Sequence, residues 1–206
     1  MTNPWKNLHI SIYEDHMSSK NVKQLQALNR IMKSQIESYN IESIMIWGIA
    51  GGNGLEHINH KINNVIGIDI NTDYLEYCKK RYEPLKEKLK LYELDITKKN
   101  TILPYADLII ANMIIEYIGI NNFSKKVKES KPKYVSCVFQ KNSHEEFVSK
   151  SPHSEDFKEI SDLHQDVLKV DLDKSMGNIN MLPIKEEKYI LTNEKSFLRV
   201  DYEKNG

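Results

Sequence analysis

Between Ile44 and Gly54 the chain reads Ile-Met-Ile-Trp-Gly-Ile-Ala-Gly-Gly-Asn-Gly, and the next apolar run, Val65-Ile-Gly-Ile-Asp69, closes on a single carboxylate. Few folds accept that order. An apolar segment that stops at a glycine-rich turn is a buried parallel strand whose backbone bends tightly and leaves room for a ligand. An acid at the tip of the following strand can accept from a pair of ribose hydroxyls. The pattern predicts a nucleotide-binding βαβ unit.

The rest of the chain extends this unit. Apolar residues at Val22, Leu25, Leu28, Ile31, Met32 and Ile36 have the spacing of an amphipathic helix, with Ser18-Ser19 ahead of it as a cap. Strands are predicted at Ile44 to Trp47, Val65 to Asp69, Leu89 to Leu94, Asp107 to Ala111 and Tyr134 to Phe139. Leu55 to Ile58 starts a short helix, Thr72-Asp73 caps another with Tyr74, Leu75, Cys78 and Tyr82 on its buried face, and a third covers Asn122 to Ser130. Ser151 to Met176 reads as helical with Gly177 as C-cap. Tyr189 to Leu191 and Ser196 to Tyr202, around Thr192-Asn-Glu-Lys195, read as a terminal hairpin that adds an antiparallel edge strand. Strands alternating with helices give a doubly wound, mainly parallel sheet with helices on both faces, whose ligands bind beyond the strands' carboxyl ends.

Length and charge narrow the partners. The 206 residues, 40% of them hydrophobic, fit one domain, residues 1–206, with 1–40 as an N-terminal lid and helix. Lysine plus arginine balances aspartate plus glutamate at 29 each, so no net field draws the chain to nucleic acid or an acidic membrane. Lysine pairs such as Lys98-Lys99 and Lys125-Lys126 read as solvated helix ends. No apolar run is long enough to cross a bilayer, and Cys78 and Cys137 lack CxxC spacing, as expected of reduced core thiols in a cytoplasmic protein. Nothing in the sequence specifies an oligomeric state.

With these features the chain resembles a class I S-adenosylmethionine-dependent methyltransferase over roughly residues 41–202. The resemblance implies that family's Rossmann-like fold, seven strands with an antiparallel seventh, and S-adenosylmethionine as cofactor. It aligns Gly48-Ile-Ala50-Gly-Gly52-Asn53-Gly54 with the turn around the methionine moiety. Alanine stands for the first glycine, and Gly48 stands where the family has an acid, a role that turn carbonyls or Glu116 could assume. Asp69 and Ile70 match the ribose site. Asp95 and Ile96 match the adenine site, although Asp-x-Thr also caps turns. Asn112 and Met113 match the segment facing the sulfonium, followed by Glu116 and Tyr117 toward the substrate. Tyr13-Glu14-Asp-His16-Met17 resembles the lid of small-molecule members, which makes His16, Tyr13 and Glu14 the first catalytic candidates.

Methyl transfer is an in-line displacement that depends mainly on alignment, so no catalytic signature is required. The expected acceptor is a small molecule. Alternatives are a binding protein that keeps the fold without catalysis, and an enzyme acting on protein or nucleic acid. Against the last, Asn112-Met-Ile-Ile lacks an Asn/Asp-Pro-Pro-aromatic run and no basic face is evident. The spacing Gly-x-Gly-x-x-Gly of a dehydrogenase is absent. His57 and His60 lack further ligands, His144-Glu-Glu-Phe lacks a second histidine, and no metal is expected. His153 and His164 precede the hairpin, where one of them could line the substrate pocket. Trp47 is expected in the core.

Overall fold

The apolar runs lie side by side in the middle of one sheet, where both faces of each strand are covered. The structure, a computed structural model, describes residues 3–142, 147–191 and 195–206. The strands are β1 (Ser43–Trp47), β2 (Asn64–Asp69), β3 (Leu89–Glu93), β4 (Leu108–Asn112), β5 (Tyr134–Lys141), β6 (Met181–Ile190) and β7 (Ser196–Lys204), in the spatial order β3-β2-β1-β4-β5-β7-β6. β1 to β5 are parallel, and β7 is antiparallel to both of its neighbours. The doubly wound seven-stranded sheet expected from the sequence is therefore present.

The helices are α1 (Ile10–Ser18), α2 (Gln24–Glu37), α3 (Thr72–Arg81), α4 (Ile115–Ile118), α5 (Ile120–Ser130), α6 (Lys158–Ser161) and α7 (Lys169–Gly177). On one face, Met32 and Ile36 of α2 and Leu75 and Cys78 of α3 cover Ile44, Ile46, Val65 and Ile110. On the other, Phe123 and Val127 of α5 and Leu172 and Met176 of α7 cover Met45, Ile109, Val135 and Val200, and Trp47 lies in this core.

Several local expectations are corrected. Serine does not cap α2: Ser19 ends α1, and the residue before α2 is Lys23, in a left-handed conformation with φ 51°. α3 is capped by Asn71, one residue ahead of Thr72. The stretch from Ser151 to Met176 is not one helix. Between α6 and α7 the chain is pulled across the sheet, where Gln165 N–H bonds to Glu116 O at 2.8 Å and Val167 enters the core, so tertiary contacts override helical propensity. Gly177 is the last helical residue, and the left-handed residue is Asn180. Lys126 is buried and holds Thr101 O at 2.6 Å and Glu129 at 2.9 Å, whereas Lys98, Lys99 and Lys125 are exposed.

The hairpin starts earlier than expected, at Met181, and its antiparallel strand is not at the edge. β7 is inserted between β5 and β6 with nearly every residue buried, and β6 forms the edge. Pro183, the bulge between Pro183 and Lys185, and the charged run Lys185-Glu-Glu-Lys188 hide β6 from pattern reading. These are the features that keep an edge strand from pairing further. The turn at 192–194 and the His144-Glu-Glu run lie outside the described residues.

Candidate functional site

Strand order reverses between β1 and β4, so the loops leaving them part, and a cleft of about 1100 Å³, mouth included, opens beyond their carboxyl ends. The turn after β1 forms one wall. Gly48 and Ile49 donate to Ile68 O at 2.8 and 3.1 Å, which folds the turn back over β2. Gly48 and Ala50 face the cleft. Ala50 has φ 48°, a left-handed conformation that costs an L-residue about 1–2 kcal/mol, and its N–H donates to Asp69 Oδ2 at 2.9 Å.

The second half of the turn is used for packing. A Cβ on Gly52 would lie 2.7 Å from Cys78 Sγ and 2.8 Å from Tyr82 Cε2, so this glycine lets the turn press onto α3. Gly54 is closed in by Met32, and Asn53 donates to Leu25 O at 2.9 Å and accepts from Asn29 at 3.0 Å. Gly52, Asn53 and Gly54 thus bear on α2 and α3 and do not line the cleft, contrary to the sequence expectation.

Asp69 lies at the tip of β2, half-buried, and lines the cleft. Its Oδ2 accepts from Ala50 and its Oδ1 from Asn71 N–H at 3.0 Å, which leaves each oxygen a lone pair for a ligand. Burial raises its pKa above the ordinary carboxylate range, and the Asn71 and Ala50 N–H groups oppose that rise. Ile70 follows it into the cleft.

Asn71, only 2% exposed, ties three parts of the site together. Its Oδ1 caps α3 through Asp73 N–H at 3.0 Å and Tyr74 N–H at 3.3 Å, while its Nδ2 holds Trp5 O at 2.8 Å and Leu8 O at 3.1 Å. Asn71→Ala removes a cap and the anchor of the N-terminal segment. It is expected to cost about 2–3 kcal/mol in urea unfolding and to speed proteolysis ahead of α1.

Asp95, Ile96 and Thr97 line the cleft after β3. Asp95 Oδ1 accepts from Thr97 N–H at 2.9 Å and Thr97 Oγ1 at 2.6 Å, so the acid both caps a turn and borders the cleft. Beyond β4, the Asn112 amide exchanges two bonds of 2.9 Å with Gln35, which fixes its orientation. Met113, with φ 57°, is held by Val138 O at 2.8 Å. Left-handed residues thus flank the cleft at both Ala50 and Met113.

The opposite half is aromatic. Trp5 meets Tyr117 edge-on at 5.0 Å and Phe157 at 6.4 Å, and Tyr13 packs between Trp5 and Tyr74. Of the residues proposed from the sequence, Tyr13, His16 and Tyr117 line the cleft, while Glu14 does not: it is held bidentate by Arg81, with both bonds 2.7 Å. Burial, then Asp69 and Glu14, push the Tyr13 hydroxyl pKa up, so it stays protonated. His16 Nδ1 lies 2.7 Å from Ser151 Oγ, and its ring rests on Phe157 at 4.3 Å. Burial first, then Lys195 and His153, lower its pKa to about 4, which makes it a neutral imidazole at pH 7.

Glu116 is fully buried behind the cleft and does not line it, a second departure from expectation. Its Oε1 accepts from Gln140 N–H at 2.9 Å and its Oε2 has no hydrogen-bond partner among the described residues. Burial raises its pKa to about 7. An acid whose folded pKa lies above its unfolded value of 4.5 contributes stability that is present in full below about pH 4.5. That contribution, about 3 kcal/mol, is lost as pH rises through 7. His16, with its folded pKa depressed, acts in the opposite sense: its contribution is present above 6.5 and lost as pH falls through 4. Glu116→Gln is therefore expected to lose less stability than the parent between pH 5 and pH 8, as read from urea midpoints.

Pattern reading missed Trp5, Phe147, Ser149 and Phe157, all of which line the cleft, and placed Tyr74 only on a buried helix face. His153 and His164 stay outside it, the first 3.2 Å from Asp156 and the second stacked on Phe147 at 3.7 Å. Among the described residues no group of three ligating side chains could hold a metal ion.

No family model and no curated protein matches the sequence. Solved structures do match. Geranyl diphosphate C-methyltransferase of Streptomyces coelicolor A3(2), in complex with geranyl diphosphate and S-adenosyl-L-homocysteine, superposes with a TM-score of 0.66 at 6% identity, over 89% of this chain and 80% of that one. The N-methyltransferase NodS of Bradyrhizobium japonicum WM9 with S-adenosyl-L-homocysteine gives 0.65 at 11% identity over 100% of both chains. The cyclase SpnF gives 0.66 at 8% identity over 89% of this chain and 82% of that one. The chain therefore has the Rossmann-like fold of class I methyltransferases.

Proposed function

We propose that the protein binds S-adenosylmethionine in this cleft and transfers its methyl group to a small-molecule acceptor. The observation that carries the reading is Asp69: a carboxylate at the tip of β2 that lines the cleft, each oxygen steadied by one backbone N–H and each with a lone pair to spare. That donor set suits two adjacent ribose hydroxyls. The other residues fit the same ligand. Asp95 keeps Oδ2 for an exocyclic amine beside the apolar Ile96, and Gly48 and Ala50 bring backbone to the far end. The Tyr74 hydroxyl, buried among the residues that line the cleft, has no hydrogen-bond partner among the described residues, which suits a ligand contact. Glu116 does not replace the acid missing at Gly48, because it is walled off from the cleft.

When bound, the cofactor supplies an electrophilic methyl carbon on a sulfonium. The chain's own residues align an acceptor and exclude water, which is worth about 7–11 kcal/mol of barrier when alignment is good. In this reading residues 1–40 serve as lid: Trp5, Tyr13, His16 and Met17 close the cleft, tethered by Asn71 and by the Glu14–Arg81 pair. His16 and Tyr13 contact the acceptor, with Tyr117 on its other side. His16→Ala is expected to lower turnover by roughly 10–100-fold and to leave cofactor affinity nearly unchanged.

The similarity to a cyclase favours a second reading, a chain that uses this fold without methyl transfer. Equilibrium binding of S-adenosylmethionine followed by a screen for methyl transfer separates the two. Binding with S-adenosylhomocysteine release supports the enzyme, binding without transfer to any acceptor supports the second reading, and absence of binding removes both. Among the described residues no helix is long and apolar enough to cross a membrane.

A further inference from the structure

We propose that the methyl acceptor is an amine carried on a flat, apolar body and free of phosphate, sulfate and carboxylate groups. The inference rests on the methyl-transfer reading above and on the composition of the cleft's acceptor half. Trp5, Tyr117, Phe147 and Phe157 form a wall of rings, with Trp5 to Tyr117 at 5.0 Å and Tyr117 to Phe147 at 6.1 Å, each nearly perpendicular. All four line the cleft, where their faces and edges suit a planar or slender apolar group.

An anionic acceptor has no counter-charge there. Among the described residues no lysine or arginine lines the cleft, and neither 143–146 nor 192–194 contains one. The cations nearby are engaged elsewhere. Arg81 is clamped on Glu14, and the Lys195 ammonium donates to Phe147 O at 2.6 Å. The charges that do line the cleft, Asp69 and Asp95, are negative. An unpaired phosphate or carboxylate buried beside them would be strongly disfavoured.

The nucleophile follows from the same wall. A hydroxyl needs a base to take its proton, and among the described residues that line the acceptor half the one imidazole is His16, held on Ser151 and too weakly basic at a pKa of about 4. A thiolate would again bring a negative charge. An amine needs no protein base: an alkylammonium gives a proton to solvent water before it enters the acceptor half, an arylamine is already neutral, and either then carries a free lone pair. Its lone pair attacks the methyl carbon, the N–C bond forms as the S–C bond breaks, and the S–C electron pair stays on sulfur as a neutral thioether. The positive charge that appears on nitrogen meets aromatic faces, and the ammonium then gives its proton to solvent water.

Calorimetry with S-adenosylhomocysteine comes first. No heat from folded protein would remove the methyl-transfer reading, and this inference falls with it. The saturated complex is then titrated with a size series of aryl- and alkylamines beginning at 2-phenylethylamine, and with phenylalanine and phosphoethanolamine as anion-bearing counterparts. At least one plain amine is expected to bind roughly tenfold or more tightly than either anionic compound and to accept labelled methyl. Phe157→Leu and Phe147→Leu, both in the ring wall and outside the lid, are each expected to weaken that amine about tenfold while S-adenosylhomocysteine binds within about twofold of the parent. Cofactor binding with no amine bound, with equal or better use of an anionic acceptor, or with amine affinity untouched in both variants would overturn the inference.

Discussion

Asp69→Asn is expected to weaken S-adenosylmethionine binding by about two orders of magnitude. The carboxylate would meet two ribose hydroxyls with one lone pair from each oxygen. Hydrogen bonds to a charged acceptor are worth about 1.5–3 kcal/mol each, and an amide keeps only one acceptor oxygen. The loss of about 3 kcal/mol corresponds to roughly a hundredfold. The substitution also faces an NH₂ group toward either Ala50 N–H or Asn71 N–H, so the unliganded fold loses about one further hydrogen bond, near 1 kcal/mol. Thermal denaturation separates the two effects. The parent gains about 2.7 kcal/mol of stability at a cofactor concentration a hundred times its dissociation constant, whereas the variant at that concentration gains only a small part of this. An equal gain in both proteins would place the ribose elsewhere.

Asp201→Asn is expected to destabilise the fold by about 3–5 kcal/mol, with a drop in melting temperature on the order of 10 °C. Asp201 and Arg199 are two residues apart on β7, share the face turned to α2, and are both fully buried. Arg199 donates to Asp201 through Nε at 2.9 Å and Nη2 at 2.6 Å. Tyr39 donates to the same carboxylate at 2.6 Å, and Ser136 is a further donor. Removing the carboxylate charge leaves a fully buried guanidinium held by Ser34, Ser38 and, at 3.4 Å, the half-exposed Glu187, without the bidentate carboxylate that balances it now. Replacing both partners, as in Arg199→Met with Asp201→Leu, removes the two desolvation penalties together and is expected to recover much of the loss. Ser136 also accepts from Gln35, the partner of Asn112, so this network reaches the cleft floor. Urea unfolding of the single and double variants measures the coupling directly. A single-variant loss below about 1 kcal/mol would show that the pair is solvated.

The glycine turn and Asp69 were legible because both are dictated locally: a strand that stops, a backbone that bends, an acid at the next tip. Asp95, Asn112 and Tyr117 were legible for the same reason, since parallel strands bring their carboxyl ends to one edge. What escaped depends on distant contacts. Which half of the turn faces the cleft is decided by α3 pressing on Gly52, and no spacing within the turn records that. Glu116 follows β4 like a ligand-contacting residue, yet α4 turns it away from the cleft toward Gln140. Trp5 sits in a polar N-terminal stretch and joins the cleft through long-range contacts, the Asn71 hydrogen bond and the rings of Tyr117 and Phe157. The Arg199–Asp201 pair looks like the solvent side of an amphipathic strand, and only the insertion of β7 between β5 and β6 buries it.

The central claim is that this cleft holds an adenosyl sulfonium by its sugar. Isothermal titration of the intact chain with S-adenosylmethionine tests it most directly. Saturable one-to-one binding, abolished or weakened about a hundredfold in Asp69→Asn, is the predicted result. No heat from a protein whose circular dichroism shows it folded, or equal affinity in parent and variant, would contradict it.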